Sequence, residues 1–476
     1  MNGTWAHNEF KNLDLGDQRL NSRLLKLSED FINSPESPIN QSCENWAATK
    51  AAYRFFQNEA ISYKDITKSH ITATVERCIE YPEVLAIQDT TYFTYSHHKE
   101  TIGLCALSKN RGKHKETIYT LGLIMHSTLA ISLYGLPLGI IDQKIYSRPE
   151  ESEERKEMKK RTHNITIPIE EKDSYRWLES LQQTHATFQD LSIKPITICD
   201  RESDIFDFFH VAKDLEMEVV VRANHNRKVN KSAPYSEITG EELWTYMKKQ
   251  RAKGSIEVEI PAQNDQPERT ARCSVKISRV TFTPPRNHPD KKSLSKLSLY
   301  AIYVSERKSP TDASPIDWIL LTNIPVDTLD QAIEKIRWYC LRWRIEVFHK
   351  VIKSGLKVEN CRLQTANRLI RYLSVMSIVA WRIFWLTVVS RVSPNITCSL
   401  FLDAEEWKIL YAVHHKNKPM PRRPPTLNQS VRWIAMLGGF LARKSDGEPG
   451  ITHIWRGLRK FTDILEGAAL ARDIYG

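Results

Sequence analysis

The chain has 476 residues, of which 41% are hydrophobic, 26% charged and only 17 glycine, a composition that excludes collagen-like and largely disordered classes. At about 150 residues per domain this length argues for about three domains rather than a short binding module. Sixty-eight Lys and Arg against 57 Asp and Glu give a net charge of +11, an excess that suits a polyanionic partner. The cysteines at 43, 78, 105, 199, 273, 340, 361 and 398 include no CxxC pair, so neither a zinc ribbon nor a disulfide framework is indicated and a reducing cytoplasm fits best.

The N-terminus, MNGTWAHNEFKNLDLG, lacks the positive start and apolar stretch of a signal peptide. Up to about residue 70 the pattern is helical. LGDQRLNSRLLKLSEDF spaces Leu20, Leu24 and Leu27 for one face with Arg19, Arg23 and Lys26 interleaved, and AATKAAYRFFQNE follows as a second helix after a Pro-, Ser- and Asn-rich loop. Two short helices with basic faces suit a DNA groove, and they equally describe any solvated helical pair.

From about 70 to 225, β-branched runs alternate with polar helices: VLAIQDTTYF, TLGLIMHSTLAISL, PLGIIDQKIY, the helix DSYRWLESLQQTHATF, PITICDRESD and MEVVVRANH. Two antiparallel strands and then a crossover to a buried strand predict a mixed α/β sheet. Between about 226 and 315 the alternation in SIEVEI, ARCSVKI and LSLYAIYV reads as all-strand, an inserted β-domain. The strand WILLTN then resumes the α/β pattern, followed by a long helix from about Leu329 to Lys353. Val375 to Val389 is the most apolar segment; Arg382 interrupts it and it falls short of the roughly 20 residues a bilayer crossing needs, so it reads as a buried core helix. Beyond about 391 the chain is helical with a basic, Pro-rich interruption, HHKNKPMPRRPP.

Asp89 follows the apolar run VLAI and Asp200 follows PITIC, so each is an acid at the C-terminal end of a strand suited to burial. Either alone is well explained as a turn cap. Brought together by a sheet, the two would repel unless a cation or proton intervenes. On the long helix, Tyr339, Arg342, Glu346 and Lys353 fall within roughly a 60° arc at about 100° per residue. His349 and Lys350 flank that stripe, and Trp338, Leu341, Ile345, Phe348 and Ile352 form a separate apolar face. A solvated charged stripe is the plain alternative, but one face for the core leaves the other for something charged. Three carboxylates are the hard oxygen donors that two Mg²⁺ ions take. Two ions about 3.5–4 Å apart activate the attacking oxygen and stabilise the leaving one, with Arg and Lys holding phosphates. The chemistry implied is phosphoryl transfer on a nucleic acid.

The blocks LAIQDTT, ITICDRESDI and WILLTN, the last followed by Y‑x2‑R‑x3‑E‑x6‑K, resemble in that order the DDE transposases of the insertion-sequence-four family. Tyr339, Arg342, Glu346 and Lys353 match the family's signature without a gap. LGDQRLNSRL and AAYRFFQN resemble its N-terminal end-binding domain, VVVRANH the strand after the second acid, and LGGFLARK with the Trp455 region its C-terminal dimerisation domain. The resemblance implies an α/β fold with an RNase H-like catalytic core at 71–390, carrying the β-stranded insertion at about 226–315. A helical DNA-end-binding domain at 1–70 and a helical dimerisation domain at 391–476 would flank it. It further implies that Asp89, Asp200 and Glu346 hold two Mg²⁺ ions, with Mn²⁺ able to substitute. Tyr339 and Arg342 would contact phosphates near the cleaved end, and Lys353 the region of a flipped-out nucleotide. Trp318 would stack on the flipped base, where core packing is the ordinary fate of a strand Trp. Arg222, His349 and Lys350 match further DNA-contacting positions, and Arg19, Arg23, Lys50 and Arg54 are expected to carry end binding.

Two departures stand out. After Gly16 and Asp17 the chain offers Arg19 and Arg23 with Leu20 between them instead of a basic run, so the end sequence recognised is expected to differ. The basic loop SKNRGKHKE, residues 108–116, is a candidate for target or flanking DNA or a plain solvated charge run. The expected protein is a cut-and-paste transposase. It would bind double-stranded DNA at terminal inverted repeats, pair as a homodimer, nick to free a 3′-OH, pass through a hairpin and join the ends to target DNA. It would work in a bacterial cytoplasm, nucleoid-associated when bound to DNA, and away from membranes. The rivals are an RNase H-like nuclease that cuts without joining, and a silent DNA-binding repressor, which the presence of all three acids opposes.

Overall fold

The computed structural model describes residues 4–98, 100–111, 117–148, 167–229, 240–260, 268–308 and 313–475. It opens with helices α1 (Thr4–Glu9), α2 (Gln18–Asn33), α3 (Ile39–Ser42), α4 (Trp46–Gln57) and α5 (Tyr63–Cys78). Side-chain oxygens start the longer ones: Asp17 accepts from the Arg19 N–H, Asn45 from the Ala48 N–H, and Ser62 with Asp65 forms a reciprocal box. Position 70, expected as the end of the helical region, falls inside α5.

Strands β1 (Glu83–Thr94), β2 (Cys105–Arg111), β3 (Thr117–Ser132) and β4 (Pro137–Tyr146) come next. They are followed by α6 (Tyr175–Phe188), β5 (Lys194–Cys199), α7 (Phe206–Asp214) and β6 (Glu218–Arg222). β1, β3 and β4 form an antiparallel set, while β5 and β6 run parallel to β1. Parallel neighbours need crossovers, which the segments bearing α6 and α7 supply, and a strand covered on both faces carries a continuous apolar run such as PITIC instead of an alternation. Mixed α/β architecture with helices at both ends is thus what the sequence pattern anticipated.

The segment from 226 to 315 departs from expectation in two ways. It contains the short strands β7 (Lys228–Val229) and β8 (Glu241–Glu242) and a helix, α8 (Leu243–Lys249), so it is not all strand. Nor do β9 (Ala252–Ile260), β10 (Arg269–Phe282) and β11 (Leu297–Glu306) form a sheet of their own. With β12 (Asp317–Thr322), antiparallel to β6, they extend the central sheet in the order β2-β3-β1-β5-β6-β12-β11-β10-β9, with β4 also on β3. The expected basic loop at 108–116 is partly strand: Ser108 to Arg111 pair with Thr120 to Thr117, and 112–116 lie outside the described residues.

The long helix is also divided. α9 (Leu329–Leu341) gives way at Arg342 to α10 (Trp343–Lys350), which ends in a π-helical turn, Val351–Gly355. Then come α11 (Ala366–Val392), α12 (Ala404–His414), α13 (Leu427–Leu437) and α14 (Ile451–Tyr475). α13 and α14 touch backbone to backbone at Gly457, where a Cβ would fall 1.8 Å from the Ile434 carbonyl oxygen.

At 27 residues α11 is long and apolar enough to cross a membrane, which corrects the length argument drawn from Val375–Val389. Burial within the protein is what accounts for it: it packs on β4, α2, α4, α5 and α14. Its hydroxyls at Ser374, Ser377, Thr387 and Ser390 bond back to carbonyls of their own helix, and Arg371 donates to the carbonyls of Phe56 and Ile61. α1 is fastened to the same body by a buried carboxylate. Glu9 receives both Nη atoms of Arg77 at 3.0 Å and the Nδ1 of His70 at 2.6 Å, while His70 Nε2 accepts from the Ile140 N–H. Burial would raise the Glu9 pKa, but His70 and Arg77 outweigh it and hold the carboxyl at about 2.

Removing one partner of such a cluster strands the others. Glu9→Ala should therefore cost about 3–5 kcal/mol of unfolding free energy. Denaturant titration checks this, and an unchanged midpoint would show that α1 is not fastened this way.

Candidate active site and DNA surface

Asp200 stands just past the end of β5, as expected, whereas Asp89 lies inside β1, which runs on to Thr94 because its far half pairs with β3; register brings the two acids together. β1 and β5 pair in parallel from Glu83 with Lys194 to Ile87 with Ile198, and continuing that register sets Asp89 beside Asp200. Each carboxylate is held by a nearby backbone N–H. Thr90 N–H donates to Asp89 Oδ1 at 2.9 Å, and Glu202 N–H donates to Asp200 Oδ1 at 2.8 Å where Asp200 caps a short 3-10 turn.

Glu346 reaches the site from α10, one turn beyond the junction at Arg342. The Arg342 guanidinium donates to Glu346 Oε1 at 2.5 Å, and its Nη1 lies 4.0 Å from Asp89 Oδ2. An arginine thus stands between two carboxylates. The Asp89 side chain is only 15% exposed. Burial pushes its pKa up to about 7, Arg342 opposes the rise, and the negative charges of Asp200 and Glu346 add to it.

His349, expected among the DNA contacts, is instead buried with Nδ1 3.8 Å from Asp89 Oδ2. Burial, together with Lys353 and Arg342, pushes its pKa down to about 3, so the ring is neutral and makes no ion pair with the acid. Lys350 is exposed on the same helix. Lys353 sits on the π turn with Nζ 5.8 Å from the centre of the Phe93 ring, and burial lowers its pKa against the opposing charge of Glu359. The extra residue in that turn moves Lys353 off the regular helical arc that the spacing predicts.

Tyr339 is buried, and burial raises its pKa. Trp318, near the start of β12, is half-buried and meets the Tyr339 ring edge-on at 5.4 Å. The Arg222 guanidinium lies 5.6 Å from the Trp318 ring, and that of Arg342 5.7 Å from the Tyr339 ring. Arg222, Trp318, Tyr339 and Arg342 therefore form one cluster adjoining the acids.

Among the described residues, no three His, Cys, Asp or Glu side chains converge closely enough to grip an ion as they stand. The donor set still suits a hard divalent cation. Asp89, Asp200 and Glu346 offer only carboxylate oxygens, and a cation would offset both the burial that chiefly raises Asp89 and the smaller repulsion from Asp200 and Glu346. Arg342 occupies the position of such a charge between Asp89 and Glu346.

A second surface lies on α4. Thr49, Ala52, Phe55 and Phe56 face inward, and Trp46, Lys50, Tyr53, Arg54 and Gln57 form the exposed face, with Trp46 75% exposed. An indole left in water beside two cations is the make-up of a nucleic-acid contact. On α2, Arg19 is exposed but its guanidinium is bound to Asp17 at 2.9 Å, and Arg23 is half-buried. Sequence reasoning passed over Trp46, although its place one helical turn before Lys50 was there to be read. It also missed Glu202, although that residue stands inside the ITICDRESDI block, and Arg176 and His126 behind the acids, which no motif distinguishes.

Three family models match the chain: "Transposase DNA-binding" over residues 2–61, "Transposase DDE domain" over 141–381 and "Transposase Tn5 dimerisation domain" over 378–475. The DDE match alone spans half of the molecule. The chain belongs to the DDE transposases, enzymes that cleave DNA and transfer strands. Its flanking matches make it a DNA-binding, dimer-forming member with the domain order of the Tn5 kind, and the family implies the use of divalent metal. The catalytic match begins at 141, so the place of Asp89 rests on sheet register. Its end and the start of the dimerisation match both fall inside α11. The exposed side chains of Leu470 and Ile474 near the end of α14 lie within the dimerisation match.

A carboxyl raised in the folded protein stabilises the metal-free fold below its ordinary 3.8 and loses that contribution as pH rises through about 7. Without divalent ions, the melting temperature of Asp89→Asn relative to wild type should climb between about pH 4 and 7 and level off above. A difference flat across that range would contradict the assignment. On the α4 face, Lys50→Ala and Arg54→Ala should each lower the salt slope of duplex binding by about one, and Arg19→Ala by less, because Asp17 already neutralises it. Fluorescence anisotropy across a salt series measures this, and wild-type slopes for both α4 variants would remove α4 from the interface.

Proposed function

We propose that this transposase moves its element by cut and paste, with Asp89, Asp200 and Glu346 holding two divalent ions, Mg²⁺ in the cell and Mn²⁺ as a substitute. The observation that carries the reading is the pair of acids abreast where β5 ends against β1, faced by Glu346 and Arg342. Bound there, the ions would supply the Lewis acidity for in-line phosphoryl transfer.

The chain's own groups have separate tasks. The backbone N–H groups of Thr90 and Glu202 aim two of the carboxylates. Arg342 holds Glu346 until a cation takes over, and then has its guanidinium free for a phosphate. The substrates on this reading are terminal inverted repeats, bound by the N-terminal helices, and target DNA. Two copies pair through the C-terminal domain to bring two ends together. The first cut frees a 3′-OH, which attacks the opposite strand to make a hairpin, and hydrolysis of the hairpin readies the end for joining. An extruded base in that hairpin costs a few kcal/mol of stacking, and an aromatic platform returns about 1–3 kcal/mol. Trp318, braced by Tyr339 and Arg222, is that platform. A reducing cytoplasm suits the eight unpaired cysteines. A nuclease that only cuts would have no use for the dimerisation domain, and a silent repressor none for the acids.

A time course on labelled end DNA, resolving nick, hairpin, blunt end and joined product, tests the scheme. Asp89→Asn, Asp200→Asn and Glu346→Gln should lose every product while still binding ends. Trp318→Ala should nick at near the normal rate and slow at the hairpin stages. Near-normal nicking by an acid variant would remove that residue from the triad, and equal slowing of all stages would return Trp318 to a packing role.

A further inference from the structure

Behind the acid pair lies a buried arginine that the reaction as described does not use. Arg176, in the first turn of α6, is 8% exposed, and its guanidinium is committed to three acceptors. Nε donates to Thr90 Oγ1 at 2.9 Å, Nη2 to Glu202 Oε2 at 2.8 Å and Nη1 to the Asp173 carbonyl at 2.6 Å. Two of those acceptors belong to the residues whose N–H groups hold the acids: Thr90 on Asp89 Oδ1 and Glu202 on Asp200 Oδ1. One planar group thus ties the interior of β1 to the turn that follows β5.

The Thr90 end is anchored further. Its hydroxyl, accepting from Arg176, donates to His126 Nδ1 at 2.9 Å, and His126 packs edge-on against Trp177 at 4.6 Å. Burial keeps His126 neutral, so it can serve as the acceptor. Burying a guanidinium is costly, and apolar side chains of similar size often serve stability as well or better. What no apolar side chain provides is a rigid fork spanning β1 and the turn after β5.

We propose that Arg176 is a positioning residue that sets the separation of Asp89 and Asp200 and thereby their affinity for divalent cations. The inference rests on the reading of those two acids as metal ligands. Groups behind a ligating carboxylate are worth about 10–100-fold in metal affinity or activity. The sign of the effect separates positioning from simple charge, because removing a nearby positive charge would by itself tighten cation binding.

The test measures Mn²⁺ binding to the full-length protein without DNA, from the electron paramagnetic resonance signal of free Mn²⁺. Melting temperature and end binding are followed on the same samples. Arg176→Gln should weaken Mn²⁺ binding by about 10-fold or more while end binding stays intact. Arg176→Lys, which keeps the charge but cannot span both acceptors, should be nearly as weak. Mn²⁺ binding as tight as wild type, or tighter, in Arg176→Gln overturns the inference. If that variant fails to fold, Thr90→Val carries the test, since it removes the clasp's acceptor on β1 with no change of charge, and unchanged Mn²⁺ binding there also overturns it. Asp89→Asn in the same assay separates the two levels of the account. Should it retain Mn²⁺, the metal-site reading fails and the inference with it; should it lose Mn²⁺ while both clasp variants keep it, only the role of Arg176 fails.

Discussion

Two carboxylates brought near each other where β5 ends against β1 repel each other, and much of the site's geometry answers that repulsion. Continued past Ile87 and Ile198, the parallel register sets Asp89 beside Asp200, so the pairing itself brings the two charges near each other. One response is proton uptake: burial, with the charges of Asp200 and Glu346 adding to it, pushes the Asp89 pKa up to about 7. The other is a cation, and Arg342 supplies one by leaning between Asp89 and Glu346. A site that already gathers a positive charge among three acids is prepared for a divalent ion.

The elements around the acids serve that arrangement. The break between α9 and α10 places Arg342 at the junction, and the π turn after α10 sets Lys353 beside Phe93. Continuation of the sheet through β12 brings Trp318 to Tyr339, so the aromatic and acidic parts of the site share one rigid scaffold. α11 joins this scaffold to the DNA-binding helices, because Arg371 grips the carbonyls at the end of α4 and before α5 while Trp381 donates to Pro137 at the start of β4. DNA held on α4 would therefore sit in a fixed relation to the sheet.

Much of this was legible in the residues. Apolar runs closed by an acid marked Asp89 and Asp200, and helical spacing gathered Arg342 with Glu346. Register was not legible, because alternation and apolar runs say nothing about which strands are neighbours; for the same reason the 226–315 segment read as a separate β-domain when it extends the central sheet. Periodicity also assumes a regular helix, so the π turn displaced Lys353 without warning. A polar stripe does not reveal its own burial: Tyr339 and His349 read as surface contacts and proved to be packed beside the acids. Arg176 looks in sequence like any helical arginine, and only the meeting of α6 with β1 and the turn after β5 gives it a purpose.

The central claim is that Asp89, Asp200 and Glu346 bind catalytic metal, and metal-specific rescue addresses it most directly. Each acid is replaced in turn by Cys, and cleavage of end DNA is measured in Mg²⁺ and in Mn²⁺. Thiolate is a poor ligand for Mg²⁺ and a better one for softer ions. The account predicts that all three variants are inactive in Mg²⁺ and partly recover in Mn²⁺, with wild type active in both. Full activity in Mg²⁺, or equal loss in both metals for all three positions, would contradict it.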